Sequence, residues 1–479
     1  MRLVCKLDRI CSLILALFWV CCLSLNAQQS SPGLRPEDRH HIDQVVARVL
    51  DSTGAPSASV AIVKNGQLAY VQAYGTAVLE PRKPARAEMR YSIGSVSKQF
   101  TAAAILRLSE EQKLSLDDPV IRFLPSLTRA GEISIRELLS HTSGYQDYWP
   151  QDYVPPFMLV QVTPGEILDR WAQKPLDFDP GTKWQYSNTN FVIAGLIVQK
   201  VSGMPFFEFL QQQIFRPLDM QSVANVDEKR LGENDATGYL RYALGPPRIA
   251  PKEATGWLFA AAELAMSAQD LAKWNISLMN ESLLKQTSYR EMEREVLLSS
   301  GQTTHYGLGM WIKSEFGHRT LEHGGDVSGF TAENMVFPDD HMSVSILVNQ
   351  DVTKAAPECA RRIAQVLFGA PIPARDKALQ AARTTFGTLQ HGSINRSDFT
   401  ADANSYFTPE ALNDFKQSLA PLGPPLNFVQ TGEEDRGGMT FRSYQLAFPE
   451  KTLALWVREM PDGEIEQYQL MAEPKLETQ

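Results

Sequence analysis

Alternating, strand-like runs stand near both ends of the first 370 residues, and helical, loop-rich sequence fills the stretch between them. The early pair, Ser57–Lys64 and Gln67–Tyr74, is joined by Asn65-Gly66. Tight hairpins favour that dipeptide because both of its residues must adopt positive φ. The late runs are Tyr306–Ile312, Arg319–Glu322, Thr331–Phe337 and Met342–Asn349, the last two joined across Pro338-Asp339-Asp340. A helix is expected over Pro36–Leu50, and an amphipathic helix around Cys359 closes the unit. From Leu116 to Ala224 the chain carries helical runs and aromatic, proline-bearing insertions such as Tyr148-Trp149-Pro150. A layered domain buries strand faces together. The pattern therefore predicts an α/β (α+β) fold: an antiparallel sheet from both chain ends around a helical subdomain.

The chain is long enough for more than one unit. Gly369-Ala-Pro371-Ile-Pro373 marks a linker over 369–374, and the pattern restarts beyond it. Helices over Arg375–Gln390 and from Thr408-Pro409-Glu410 precede four strands: Leu426–Thr431, Thr440–Phe448, Lys451–Met460 and Ile465–Leu470. Residues 375–479 thus read as a small α+β domain. Its order of helices first and a meander after resembles the cone-shaped NTF2-like fold. A ligand pocket, a lid and a dimer surface are the roles open to it.

A basic start through Arg9, an apolar run from Ile10 to Leu25 and Ala27 before Gln28 predict a cleaved secretory signal over 1–27. The expected location is periplasmic or secreted, with no membrane span left after cleavage. An uncleaved anchor is the alternative, although the run is short for a full span. Four of the five cysteines lie in that segment, so the remaining chain keeps only Cys359 and no internal disulfide. Cys359 is expected to be a buried structural thiol. A net charge of −9 without clustered Lys and Arg argues against a nucleic-acid partner.

Three short motifs carry chemistry. Ser95 and Lys98 are three residues apart at the start of the helical run Phe100–Ser109, so they share a helix face. A serine hydroxyl needs a neighbour to take its proton. A desolvated Lys98 supplies one without a histidine. Tyr186-Ser187-Asn188 follows the turn Asp179-Pro180-Gly181. Beside a lysine, Tyr186 can act as phenolate or relay the serine proton, and Asn188 offers both a donor and an acceptor to an amide substrate. His323-Gly324-Gly325 is expected at the end of the strand Arg319–Glu322. There the glycines let a substrate lie along the edge, and His323 can donate to the Tyr186 oxygen or to a substrate carboxylate. His141 reads as structural, because a histidine-based hydrolase would want a Gly-x-Ser-x-Gly elbow. No His-Glu-x-x-His pair points to zinc. Tyr145, Tyr148, Trp149 and Tyr153 either line an entrance or pack a loop.

The ordered set Ser-x-x-Lys, Tyr-x-Asn, basic-x-Gly resembles the class C β-lactamase and D,D-peptidase family of serine hydrolases. Leu138–Gly144, Phe215–Met220, Tyr306–Gly309 and Gly324-Gly325 followed by Gly329-Phe330 support the resemblance, which covers residues 36–368. It implies an acyl-enzyme on Ser95, with Lys98 and Tyr186 handling the proton. It also implies an oxyanion hole from the backbone N–H groups of Ser95 and Asp326, and substrate contacts at Asn188, His323, Gly324 and Gly325. The partner implied is a small-molecule or peptide substrate, with no metal or cofactor. Two departures stand out. His323 replaces the lysine of the β-lactamases proper, as in peptidase, D-aminopeptidase and esterase branches. Ala262-Glu263-Leu264 stands where the family often has a glycine pair, which leaves the shape of the pocket wall open. The substrate expected is an ester, a D-amino-acid amide or peptide, or a β-lactam-like amide. The alternatives are a penicillin-binding sensor acylated without turnover and a true class C-type β-lactamase.

Overall fold

The computed structural model describes residues 33–153, 155–242, 245–369, 374–436 and 439–472. The expected signal at 1–27 and most of the expected linker lie outside the described residues. The chain divides into two compact units at 370/371.

In the first unit, helix α1 (Pro36–Thr53) ends at Gly54, whose left-handed φ of 69° lets its N–H reach the Leu50 carbonyl. Strands β1 (Ser57–Lys64) and β2 (Gln67–Val78) follow. Asn65 and Gly66 between them have φ of 54° and 71°, as a tight hairpin requires. The two-residue strand β3 (Lys83–Pro84) borders β2. Helices α2 (Lys98–Glu110), α3 (Asn188–Ser202) and α4 (Ala268–Asn280) belong to the helical part. Strands β4 (Trp311–Glu315), β5 (His318–Val327), β6 (Phe330–Phe337) and β7 (Met342–Val348) and helix α5 (Ala355–Phe368) complete the unit.

The seven strands form one antiparallel sheet in the order β3-β2-β1-β7-β6-β5-β4. β1 pairs with β7, Ala58 opposite Val348 and Val63 opposite Ser343, so both chain ends meet at mid-sheet. Strand alternation splits the core in two. Val60 and Ile62 join Val344, Ile346, Ile42, Val46, Cys359 and Ile363 under α1 and α5. Ala61 and Val63 join Phe100, Ala104, Ile193 and Trp274 of the helical layer. β1 is buried on both faces from Ser57 to Val63, which fits its continuous apolar stretch Val60–Val63. Cys359 is buried, and burial pushes its thiol up to about 12, so it packs as a small apolar group.

Two expectations need correction. Tyr306–Ile312 is not a strand; pairing begins at Trp311. The cause is steric, because a Cβ on Gly307 would sit 2.2 Å from the Met292 carbonyl and one on Gly309 2.8 Å from that of Lys98. The backbone instead loops tightly against the start of α2. The strand around Arg319–Glu322 does not end at the glycines either. β5 runs through them to Val327, paired residue by residue with β6.

The second unit contains α6 (Ala374–Gln390), α7 (Pro409–Leu419) and strands β8 (Asn427–Arg436), β9 (Met439–Ala447), β10 (Thr452–Glu459) and β11 (Ile465–Ala472). Thr408 caps α7 by accepting from the Ala411 N–H, with Pro409 at the first helical position. The strands form an antiparallel meander in sequence order. Phe386, Leu389, Phe428, Tyr444, Leu446 and Leu455 fill its own core.

Candidate active site

Ser95 lies in a 3₁₀ turn, Gly94–Ser97, that leads directly into α2. The α-helix proper begins at Lys98, so Ser95 stands just before the first α-helical turn and not within it. Lys98 is fully buried. Its Nζ lies 2.9 Å from Ser95 Oγ, 2.8 Å from Asn188 Oδ1 and 3.0 Å from the Ala261 carbonyl. Two of these three neighbours can only accept. A neutral amine satisfies both with its two N–H bonds and keeps its lone pair for the Ser95 hydroxyl proton. Burial favours that neutral form, lowering Lys98 to about 7 against the opposing charge of Asp147.

Tyr186 is hydrogen-bonded to the Ser95 side chain, and burial pushes its phenol well above the ordinary range. The Lys98 Nζ sits 4.9 Å from the centre of the Tyr186 ring. Burial therefore favours the protonated phenol, the form that can relay a proton. His141 stacks on the same ring at 4.2 Å and is fully buried. Its Nδ1 accepts from the Ser187 N–H at 3.1 Å, and burial holds the imidazole neutral. It shapes the site as a structural residue.

Asn188 opens α3, with its Oδ1 on Lys98. Its backbone N–H and its Nδ2 both donate to Asp147, at 3.0 and 3.2 Å. Asp147 also accepts from the Trp149 N–H at 3.3 Å. Burial raises its carboxyl to about 6.

Strand β5 faces this group from the sheet. His323 Nδ1 lies 2.6 Å from the Gly324 carbonyl, which can only accept, so Nδ1 carries the proton. Nε2 then accepts from the Tyr306 hydroxyl at 2.9 Å. Both nitrogens are occupied, and burial lowers the imidazole to about 3. His323 therefore bonds Tyr306 and not the Tyr186 oxygen. Gly324 turns away from Ser95, toward Glu333 on β6. Gly325 faces it: a Cβ there would lie 1.9 Å from the Ile93 carbonyl, and one on Gly94 2.8 Å from the Asp326 nitrogen. The Asp326 amide and the Ser95 turn are thus in backbone contact.

Several participants escape sequence reasoning. Asp147 lies in Gln146-Asp147-Tyr148, which reads as loop. The Ala261 carbonyl has no side-chain signal at all. Glu263, at the expected glycine pair, is fully buried, and its Oε2 accepts from the Ala260 N–H at 3.2 Å, where Ala260 has a φ of 54°. Burial raises its carboxyl far above the ordinary range, so it is neutral. The loop so pinned offers the Ala261 carbonyl to Lys98. Tyr145 and Tyr148 are buried packing residues, while Trp149 is exposed. No group of three or more metal-ligating side chains occurs among the described residues.

A family model described as Beta-lactamase matches residues 42–368. A penicillin-binding protein of Bacillus subtilis is 26% identical over 77% of this chain and 85% of its own length. A D-aminopeptidase of Gluconobacter oxydans is 27% identical over 70% of this chain, which spans only 62% of that relative's length. Among solved structures, a D-stereospecific amidohydrolase from Streptomyces sp. is similar at a TM-score of 0.60 and 26% identity, covering 69% of this chain and 99% of its own.

Proposed function

The chain belongs to the beta-lactamase family and is a β-lactamase-related serine hydrolase; on that premise we propose that Ser95 is its nucleophile and that it cleaves an amide or ester of a D-amino acid. The observation that carries the reading is Lys98, which holds two carbonyl acceptors and turns its remaining position to Ser95 Oγ.

In this reading the neutral Lys98 amine takes the Ser95 proton as Oγ bonds to the substrate carbonyl carbon. The carbonyl oxygen becomes an oxyanion, held by the N–H groups of Ser95 and Asp326. As the tetrahedral adduct collapses, the C–N or C–O bond breaks. Tyr186 hands its phenol proton to the leaving group and is reprotonated from Lys98. Water then attacks the acyl-enzyme. Its proton passes by the same route, and Ser95 regains its own as the acid departs.

The substrate class rests on charge. In place of the lysine of the β-lactamases proper stands His323, neutral and with both nitrogens engaged. The carboxyl of Asp147, the acidic group set against Lys98, disfavours an anionic substrate. An uncharged or amine-bearing acyl group suits this field better than a carboxylate. The names of the D-aminopeptidase and amidohydrolase relatives agree with that preference. Residues 1–27 add the proposal of export to the periplasm or medium.

The test is a panel of D- and L-aminoacyl anilides, aryl esters and a β-lactam, against wild type and Ser95→Ala, with intact mass followed in time. Turnover of the D-aminoacyl substrates, lost in Ser95→Ala, supports the reading. Turnover that survives Ser95→Ala overturns it. The penicillin-binding relative motivates a second reading, a sensor, whose signature would be a β-lactam adduct on Ser95 that persists.

A further inference from the structure

Lys98 is not the end of the hydrogen-bonded chain that begins at Ser95. An asparagine amide can face a lysine with either its oxygen or its NH₂, and only the oxygen is compatible with a donor. Here the choice is fixed from behind. Asp147, acceptor on both oxygens, takes the Asn188 backbone N–H on Oδ1 and the Asn188 Nδ2 on Oδ2. The second bond commits Nδ2 to the carboxylate, which leaves Oδ1 for Lys98 at 2.8 Å.

We propose that Asp147 is a positioning residue of the reaction: through Asn188 it orients the Lys98 amine toward Ser95.

The charge argument follows from what surrounds Lys98. Burial strips protons from the amine, and Asp147 is the carboxylate that counters it. The other ionisable groups facing the amine, His141, His323 and Tyr186, are all neutral in the folded protein. Asp147 itself faces Lys98, Asn188, the Trp149 N–H and the Tyr148 and Tyr186 phenols. Removing its charge therefore removes the main electrostatic support for the ammonium. The Lys98 pKa falls, and the acid limb of the rate profile moves to lower pH. Asp147→Asn keeps one acceptor for two Asn188 donors, so the Asn188 amide can turn its NH₂ on Lys98, donor against donor.

The inference rests on the proposed roles of Ser95 and Lys98. The experiment measures kcat, KM and their pH profiles with an aryl ester for wild type, Asp147→Asn, Asn188→Ala and the double variant, with Ser95→Ala as control. Asp147→Asn is expected to lower kcat by at least about tenfold, in the range set by general-base catalysis, with KM changed less, and to shift the acid limb downward. In the Asn188→Ala background the kcat loss shrinks, because the amide it acts through is gone. If Asp147→Asn does not melt cooperatively, Asp147→Glu replaces it: the displaced carboxylate lowers kcat but leaves the acid limb in place. An unmoved acid limb in Asp147→Asn, or a loss confined to KM, overturns the inference. Turnover persisting in Ser95→Ala overturns instead the underlying reading.

Discussion

Gly325 and Ile93 meet backbone to backbone: a single added Cβ on the glycine would stand 1.9 Å from the Ile93 carbonyl oxygen. This contact seats β5 against the turn that carries Ser95. Gly94, at a φ of 51°, makes the reciprocal approach to the Asp326 nitrogen. The proposed oxyanion hole is therefore assembled from two segments with no side chain between them.

Gly325→Ala must push β5 away from the Ser95 turn. The N–H of Asp326 then leaves the position a developing oxyanion needs. Loss of one such donor costs about a hundredfold or more in kcat. The measurement is kcat together with thermal melting. Full activity in a folded Gly325→Ala protein would show that Asp326 is not part of the hole.

Lys98 must be neutral to accept a proton, and its pKa lies near 7. Protonation therefore removes the base as pH falls. The plot of kcat/KM against pH should drop on the acid side with a midpoint near 7, about tenfold per unit below it. A flat profile from pH 5 to 8 would exclude Lys98 as the titrating base.

Tyr186→Phe removes the hydroxyl bonded to Ser95 and keeps the ring on which His141 stacks. The fold should survive. Activity should fall at least about a hundredfold, more for a poor amide leaving group than for an aryl ester, because the anilide depends most on a delivered proton. Equal losses on both substrates would remove Tyr186 from the leaving-group step.

Glu263 holds its proton in the folded state and loses it when unfolded above the ordinary carboxyl value of 4.5. The folded protein then binds more protons than the unfolded one. Its contribution to stability is full below that value and declines as pH rises toward the folded pKa, by about 1.4 kcal/mol per unit. Glu263→Gln keeps the carbonyl that accepts from Ala260 and cannot ionise. Denaturant midpoints should decline less steeply between pH 5 and 8 than in wild type. An unchanged slope would mean that Glu263 is ionised in the fold.

Local chemistry explains which parts of this molecule can be read from its residues. Asn65-Gly66 carries its own hairpin and Thr408-Pro409 its own helix start. Ser95, Lys98, Tyr186 and Asn188 are legible because their spacing and order are themselves the signal. What is hidden depends on partners distant in sequence. Nothing near His323 announces that Tyr306 will take its nitrogen, and nothing near Asp147 announces Asn188. The extension of β5 through its glycines is equally silent, since glycine locally disfavours strand and here is required by the approach of Ile93.

The pairing of β1 with β7 has a consequence for how the enzyme comes into being. Ser95 and Lys98 leave the ribosome early, whereas the Asp326 amide and the strand that closes the sheet follow more than two hundred residues later. Contacts of such sequence separation form slowly, because a long loop must close before they repay its entropy. A nascent chain therefore holds the proposed nucleophile without its proposed oxyanion donor. Catalytic competence arrives only with the last strands, and so reports completed assembly of the domain.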